Sequence, residues 1–213
     1  MDQSIPLWER CAFVEAHDEL VRDISVRDSI MYAMKLRCPM RSLFNIVASN
    51  VAKTVSLLHL DDVADKNIRL ISNGARRRVS IAEEIVGGPN LLLIDEPTTE
   101  LDSQDESVLM QCFREMVNQD KTVIAAMHHP NERVFQLFDT ILLLAQGRVI
   151  YLGDAVNAVK YFTSLPNPYS MSKHKNSCDF LCDISGGTIA TNTVPILSIK
   201  YRCWNQCILY FLI

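Results

Sequence analysis

The chain has 213 residues, of which 48% are hydrophobic and 22% charged, so it is long enough for one sizeable core and too apolar to be disordered. Its 21 Lys and Arg residues against 25 Asp and Glu residues give a formal net charge of -4, which argues against a nucleic-acid binder with a basic face. The opening residues contain no apolar run of the kind found in secretory signals, and no stretch reaches the roughly 18 apolar residues of a membrane helix. These features favour a reducing, cytosolic setting.

The seven cysteines are an odd number, which fits scattered reduced thiols better than a disulfide framework. Four of them form two CxxxC pairs that superficially resemble a zinc site: Cys178, Cys182, Cys203 and Cys207. The spacing differs from the usual CxxC pairs, so we expect reduced thiols and no metal.

The first part of the chain predicts one strand and two amphipathic helices. Cys11–Val14 is a short apolar run that predicts a strand. Ser25 stands where an N-cap is expected, with Asp28 at the capping-box position, and Pro39 closes that helix. Arg41–Leu60 predicts a second helix, because its apolar residues recur with a period near 3.6. These residues are Leu43, Ile46, Val47, Val51, Val55 and Leu58.

The central part predicts a helix that leads into a buried strand. Ile71–Val86 begins with Ser-Asn-Gly and continues as a helix. Its charge run Arg76–Arg78 could be taken for a phosphate clamp, but a solvated helix face is favoured. Gly87-Gly88-Pro89-Asn90 breaks the helix, and Leu91–Ile94 then forms an apolar strand that ends at Asp95-Glu96.

Strands and helices continue to alternate in the second half. The predicted elements are a helix at Ser103–Asn118, a strand at Thr122–Met127 that ends at His128, a short helix at Asn131–Phe138, a hairpin formed by Ile141–Leu144 and Val149–Tyr151, and a helix at Asp154–Ser164. This alternation predicts an α/β fold with a mostly parallel sheet flanked by helices and a hairpin at one edge. Beyond about Gly187 the pattern dissolves.

The adjacent carboxylates after the central strand carry the first chemical hypothesis. Ligands of open α/β sheets bind at the carboxyl ends of the strands. One carboxylate there could hold Mg²⁺ and a second could position or deprotonate a water molecule, as nucleotide hydrolysis requires. Four apolar residues followed by two acids would equally suit a buried strand that ends in a solvated turn, so these residues alone leave both readings open.

Several motifs together carry a family resemblance. The stretch ISNGARRRVSIAEEIVGGPNLLLIDEPTTELDS resembles the signature helix, Walker B strand and D-loop of ABC transporter nucleotide-binding domains. ISVRDSIMYAMKLRCP, GRVIYLGDAVNAVKYF and NSCDFLCDISGG further resemble the G, or White-type, half-transporters. The resemblance covers about Phe13–Gly187. It implies a partial P-loop NTPase domain of the ABC type at residues 11–165 with a helical signature subdomain, a connector at 166–187, and an unassigned tail at 188–213.

The resemblance also implies a function. It predicts ATP hydrolysis coupled to transport across a membrane, with ATP and Mg²⁺ as cofactors. It predicts a homodimer or heterodimer with another ABC nucleotide-binding domain, a membrane domain as a further partner, and a place on the cytoplasmic face of a membrane. Nucleic acid is not an expected partner.

Three residues match the hydrolytic positions of the family. Asp95 matches the Walker B aspartate, which supports Mg²⁺, a hard cation that takes oxygen ligands. Glu96 matches the catalytic glutamate that polarises the attacking water. His128 matches the switch histidine that contacts the γ-phosphate, where an imidazole can donate a hydrogen bond to developing negative charge. Without this context, His128 would read as a satisfied histidine at a strand end.

Three further residues match positions that act across a dimer. Ser72 and Gly74 match the signature motif, whose helix N-terminus suits a phosphate. In the family, that phosphate belongs to nucleotide held by the opposite subunit. Asp102 matches the D-loop aspartate, which communicates across the dimer.

The chain also departs from the family pattern. No glycine is followed by lysine, so the GxxxxGK[ST] phosphate loop, Walker A, is missing. Ala16 stands at the Q-loop glutamine position and Ala75 at a Glu or Gln position. Asn73 replaces the first signature glycine, and we expect the turn to survive because Asn tolerates positive φ. Glu100 replaces a D-loop glycine.

These departures lead us to expect a chain cut at both ends, which would lie in the cytoplasm if it is truly this short and would hydrolyse ATP poorly alone. The alternative is a non-catalytic partner that lends Ser72–Ala75 and Asp102 to an intact domain, or an inert fragment. A soluble ABC-type ATPase of DNA repair or translation is a third possibility, and the White-type segment Asn176–Gly187 argues against it.

Overall fold

The structure is a computed structural model that describes residues 10–37, 44–128, 130–145, 148–166, 176–185 and 209–212. The chain forms two compact units, Met1–Val123 and Ile124–Ile213. The strands are β1 (Cys11–Val14), β2 (Leu91–Asp95), β3 (Thr122–Met127), β4 (Thr140–Ala145), β5 (Arg148–Asp154) and β6 (Leu209–Leu212). The α-helices are α1 (Val26–Arg37), α2 (Phe44–Leu57), α3 (Asn73–Ile85), α4 (Ser103–Val117), α5 (Glu132–Phe135), α6 (Ala155–Thr163) and α7 (Ser177–Ser185).

Parallel strands and helices form the first unit, which confirms the predicted α/β class. β1 and β2 pair in parallel, from Cys11 opposite Leu91 to Val14 opposite Ile94. The N–H of Thr122, at the start of β3, donates to the carbonyl of Asn90 at 2.8 Å. Alternate residues of β2 are buried, and α3 packs against the neighbouring strand β1. The acidic end of β2 therefore belongs to a strand that is held by packing.

The helical part of the first unit follows the predicted apolar pattern. The hydroxyl of Ser25 accepts from the N–H of Asp28 at 3.1 Å, which confirms the predicted cap of α1. The apolar faces of α1 and α2 are buried at Val26, Ile30, Met34, Val47, Val51 and Val55. Ile46, which belongs to the apolar period that predicted α2, is 39% exposed and does not share the buried face. Pro39 and Leu43 lie outside the described residues.

Antiparallel strands form the sheet of the second unit. β4 pairs with β5 as the predicted hairpin, and β6 lies between β3 and β4, antiparallel to both. β6 belongs to the segment for which the sequence offered no assignment. α7 falls within the expected connector, and the side-chain oxygen of Asn176 accepts from the N–H of Asp179 at 2.7 Å at its start. The second unit therefore uses both segments as structural elements.

Candidate functional site

β2 delivers its two carboxylates at a turn with unusual backbone geometry. Asp95 is the last residue of the strand, and Glu96 follows with φ of +45°. The hydroxyl of Thr99 donates to Oε2 of Glu96 at 2.9 Å, and the N–H of Thr99 points to the carbonyl of Glu96 at 3.4 Å. The backbone of Glu96 is therefore not extended, and the turn together with the Thr99 hydroxyl orients the Glu96 side chain.

The N-terminus of α3 carries the signature residues. Ser72 is the N-cap, and its hydroxyl oxygen accepts from the N–H of Ala75 at 3.1 Å. The first intrahelical bond runs from the N–H of Arg76 to the carbonyl of Ser72 at 2.9 Å, so the amides of Asn73 and Gly74 precede it. Asn73 is a helical residue and is not among the positive-φ positions, so the helix start is kept without any use of the tolerance of Asn for positive φ.

The N-termini of α3 and α4 pack closely at Gly74 and Asp105, and Asp102 caps α4 beside this contact. The side chain of Asp102 caps α4 by accepting from the N–H groups of Gln104 at 2.9 Å and Asp105 at 2.8 Å. The carboxylate of Asp105 lies so close to Gly74 that an added Cβ would be 2.0 Å from its Cγ. Nη2 of Arg78 is 3.9 Å from Oδ1 of Asp105. The start of the predicted D-loop helix is therefore held against the signature helix.

The arginine run of α3 is not a solvated face, which corrects the expectation for Arg76–Arg78. Arg77 is 3% exposed and Arg78 is 9% exposed. Nη2 of Arg77 donates to the carbonyl oxygens of Asp95 at 2.7 Å and of Glu96 at 3.4 Å. The signature helix is thereby fastened to the end of the strand that carries both acids.

Ala16, at the position of the Q-loop glutamine, lines a cavity of about 290 Å³. Residues from three segments line this cavity with it, including Asp18, Arg77, Thr99 and Glu100. The predicted Q-loop, signature and D-loop segments therefore meet around one space within the first unit.

His128 belongs to the second unit, whereas Ser72, Gly74, Asp95, Glu96 and Asp102 belong to the first. The thiol of Cys182 in α7 contacts the carbonyl oxygen of His128 at 3.6 Å. The two thiols of α7, Cys178 and Cys182, are buried and 3.9 Å apart as free cysteines. Hydrogen bonding and burial raise the pKa of Cys178. Cys203 and Cys207 lie outside the described residues.

Oxygen ligands at the end of β2 fit a hard cation. The carbonyl oxygens of Asp95 and Glu96 accept from Arg77, so this guanidinium is engaged with main-chain atoms and not with the two carboxylates. Mg²⁺ is commonly held by one or two protein carboxylates together with substrate phosphates. Within the described ranges, no three His, Cys, Asp or Glu side chains form a metal-binding cluster of their own. The donor set therefore suits a cation that arrives with a phosphate ligand.

None of the helices in the described part of the chain combines the length and apolar character needed to cross a bilayer.

A parallel strand followed by Asp-Glu, in the same unit as a capped helix N-terminus, is typical of nucleotide-binding domains of the α/β class. The family model described as ABC transporter matches residues 3–99. The chain belongs to the ABC transporter family, and its relatives place it in the G, or White-type, subfamily as part of an ATP-binding domain.

Three curated relatives show the extent of this similarity. ABC transporter G family member 25 of Arabidopsis thaliana is 37% identical over 193 residues, covering 87% of this chain and 29% of the relative. ABC transporter G family member 11 of the same plant is 38% identical, covering 74% of this chain and 23% of the relative. Broad substrate specificity ATP-binding cassette transporter ABCG2 of Sus scrofa is 33% identical, covering 82% and 27%. The chain thus spans less than a third of the length of these relatives.

Proposed function

We propose that this chain is part of the ATP-hydrolysing domain of a G-type ABC transporter, in which hydrolysis drives transport across a membrane. The observation that carries the proposal is the acid pair Asp95-Glu96 at the end of a parallel strand, held beside the capped signature helix by Arg77. The expected setting is the cytoplasmic face of a membrane, in a dimer with another ABC nucleotide-binding domain and together with a membrane domain.

Each predicted site residue has a role in this proposal. Asp95 would hold Mg²⁺ through its carboxylate, and Glu96, oriented by Thr99, would hold and polarise the attacking water. His128 donates a hydrogen bond to the γ-phosphate as negative charge develops there. ATP with Mg²⁺ supplies the phosphoryl group that water attacks in line and the cation charge that neutralises its oxygens.

The signature residues act toward a partner domain. Ser72 already accepts from Ala75, so its hydroxyl hydrogen can be donated to a phosphate of nucleotide held by the opposite subunit. The amide of Gly74 at the helix N-terminus can donate in the same direction. Asp102 fixes the start of α4 and thereby transmits the state of the dimer contact to the turn after Glu96.

ATP hydrolysis by this chain alone is expected to be weak. No glycine among the 213 residues is followed by lysine, so a backbone cradle with a lysine for the β- and γ-phosphates is missing from this sequence. Ala16 offers no side-chain oxygen toward Mg²⁺. The test is the Mg²⁺-dependent ATPase rate of the purified chain compared with that of Glu96→Gln. A rate that the substitution abolishes would refute the proposed impairment.

A non-catalytic partner role is the second candidate, and it is supported by the location of Ser72, Gly74 and Asp102 within one unit. Ser72, Gly74 and Asp102 are held by bonds and contacts that need no residue outside Met1–Val123. In this role the chain completes the composite site of an intact G-type domain. The test is to mix the two proteins and measure the ATPase rate of the intact domain with and without the chain.

The matched variants for this mixing experiment are Ser72→Ala and Asp102→Ala, compared with Ser107→Ala on the exposed side of α4. A stimulated rate that falls with the first two and persists with the third supports the partner role. No stimulation together with no association of the two proteins identifies an inert fragment.

A further inference from the structure

The four terminal hydrogens of the Arg77 guanidinium are all directed at acceptors. Nη1 donates to the carbonyl of Glu15 at 2.7 Å and to Oδ1 of Asp18 at 2.8 Å. Nη2 donates to the carbonyls of Asp95 at 2.7 Å and Glu96 at 3.4 Å. With a residue exposure of only 3%, this planar fork is dedicated to internal contacts.

Three segments distant in sequence meet at this one group. Glu15 and Asp18 flank Ala16, Arg77 lies in α3, and Asp95 and Glu96 end β2. The contact to Glu96 falls on a residue with φ of +45°, a conformation that a non-glycine residue keeps only when its surroundings fix it. The guanidinium supplies part of that fixation, because it binds the carbonyls of the two peptide units that flank the Cα of Glu96.

The neighbouring arginines make different contacts. Arg76 donates to the carbonyls of Ile68 at 3.2 Å and Arg69 at 3.3 Å and to the side chain of Asn73 at 3.2 Å. Arg78 faces Asp105. Among the three arginines, Arg77 is therefore the one that joins the loop around Ala16 to the two acids.

We propose that Arg77 is the positioning residue that sets the backbone carrying Asp95 and Glu96 and couples it to the loop at Glu15–Asp18. The hydrolytic meaning of this coupling rests on the proposed function of the acid pair. The requirement for arginine follows from geometry, since a lysine ammonium is a single point and cannot span four acceptors arranged around a planar fork. The carboxylate of Asp18 balances the buried charge.

The test compares Arg77→Met and Arg77→Lys with the matched control Arg76→Met in the full chain. Hydrogen exchange is measured by mass spectrometry on peptides covering residues 13–20 and 95–102. We expect both Arg77 variants to accelerate exchange in these two peptides about tenfold or more, since a hydrogen bond to a charged group is lost. Peptides from α2 should exchange at the rate of the unsubstituted protein in every variant. The Arg76→Met variant should exchange at that rate in the two loops as well.

Asp18 provides a second, milder pair of variants should Arg77→Met not fold. Asp18→Asn keeps an oxygen acceptor for Nη1 and should leave exchange of residues 95–102 unchanged, whereas Asp18→Ala should accelerate it. The proposal is overturned if Arg77→Lys exchanges like the unsubstituted protein, or if Arg77→Met accelerates exchange equally in every peptide.

A kinetic measurement separates positioning from mere stability. In the mixing experiment with an intact G-type domain, this chain supplies its signature residues and not its acid pair, so Arg77→Lys should leave the stimulated rate at saturating chain concentration within about twofold. A large fall in that rate would mean that the substitution disturbs the whole unit, and it would overturn a role confined to the two loops. If the unsubstituted chain gives no stimulation, the partner function fails, while the exchange result still decides whether Arg77 positions the two loops.

Discussion

The carboxylate of Asp105 occupies the space where a side chain at Gly74 would begin. An added Cβ at Gly74 would lie 2.0 Å from Cγ and 2.3 Å from both carboxylate oxygens of Asp105. Asp105 is also the residue whose N–H is capped by Asp102. The glycine of the signature helix is thus explained by close packing of α4 and not by a positive φ, since the glycine lies within a helix.

This relationship predicts that the effect of Gly74→Ala on the free energy of unfolding depends on whether Asp105 is present. Gly74→Ala in the unsubstituted chain should destabilise by about 1–3 kcal/mol, because the new methyl group displaces Asp105. In an Asp105→Ala background the same substitution should be neutral or stabilising, because the obstacle is gone and alanine favours a helix over glycine. Denaturant unfolding of the four proteins measures both effects. Equal effects in the two backgrounds would contradict the packing explanation.

Glu100 offers a prediction about backbone strain. Its φ is +65°, which costs a non-glycine L-residue roughly 1–2 kcal/mol. Glu100→Gly should therefore stabilise the chain by about 1 kcal/mol, because the greater freedom of glycine in the unfolded state offsets part of the gain from strain relief. Glu100→Ala is the matched control, because it removes the same charge but keeps Cβ. The strain argument fails if the alanine variant gains as much stability as the glycine variant.

The helices and the acidic strand could be predicted from sequence because their signals are local. The apolar period of α1 and α4, the cap at Ser25 and the apolar run before Asp95 each lie within one element. The glycine expected at position 100 also acquires a physical reason, since that residue has a positive φ. The capping pattern Asn176 to Asp179 was an available signal for α7, because it places an acceptor three residues before a donor amide.

The sequence contains a weaker signal for the burial of Arg77 and Arg78. Consecutive helical residues are about 100° apart, so three arginines in a row cannot all share one solvated face. Arg78 is four residues before Ala82, which lies on the buried face of α3. Three of the four acceptors of Arg77, in contrast, are main-chain carbonyls, separated from it by up to 62 positions. Nothing in the local pattern identifies them, because every residue has a carbonyl.

Glu83 in α3 predicts a dependence of stability on pH. Burial raises the pKa of Glu83 above its ordinary value, although Ser29 donates a hydrogen bond to Oε1 and Arg37 lies nearby. Between the unfolded and the folded pKa, the folded chain binds more protons, so the free energy of unfolding falls as pH rises through that window. Glu83→Gln removes the titration and keeps an acceptor for Ser29. It should flatten the profile and raise stability near neutral pH.

Unfolding measured from about pH 4 to about pH 7 checks this prediction. Glu84→Gln is the comparison, since burial also raises the pKa of Glu84 but this side chain pairs with Arg37. The gain in the free energy of unfolding for Glu84→Gln at neutral pH should be smaller, because this substitution also removes the charged partner of the Arg37 guanidinium. A Glu83→Gln profile as steep as that of the unsubstituted chain would assign the pH dependence to other groups.

The last prediction concerns β6, whose backbone lies between two strands. Phe211 pairs with Ala125 of β3 on one side and with Ile141 of β4 on the other. Phe211→Pro removes one ladder N–H and places a ring in the middle of the sheet, where proline is poorly tolerated. We expect β3 and β4 to lose protection from hydrogen exchange, while β1 and β2 of the first unit keep theirs.

Leu209→Pro is the matched control, because the first residue of a strand tolerates proline better than its interior does. It should reduce protection of β3 and β4 less than Phe211→Pro does. Exchange of residues 124–127 and 140–143 is the readout, since these residues form the register with β6. Unchanged protection of both segments in Phe211→Pro would mean that β6 contributes no ladder bonds in solution, and that β3 and β4 are stabilised without it.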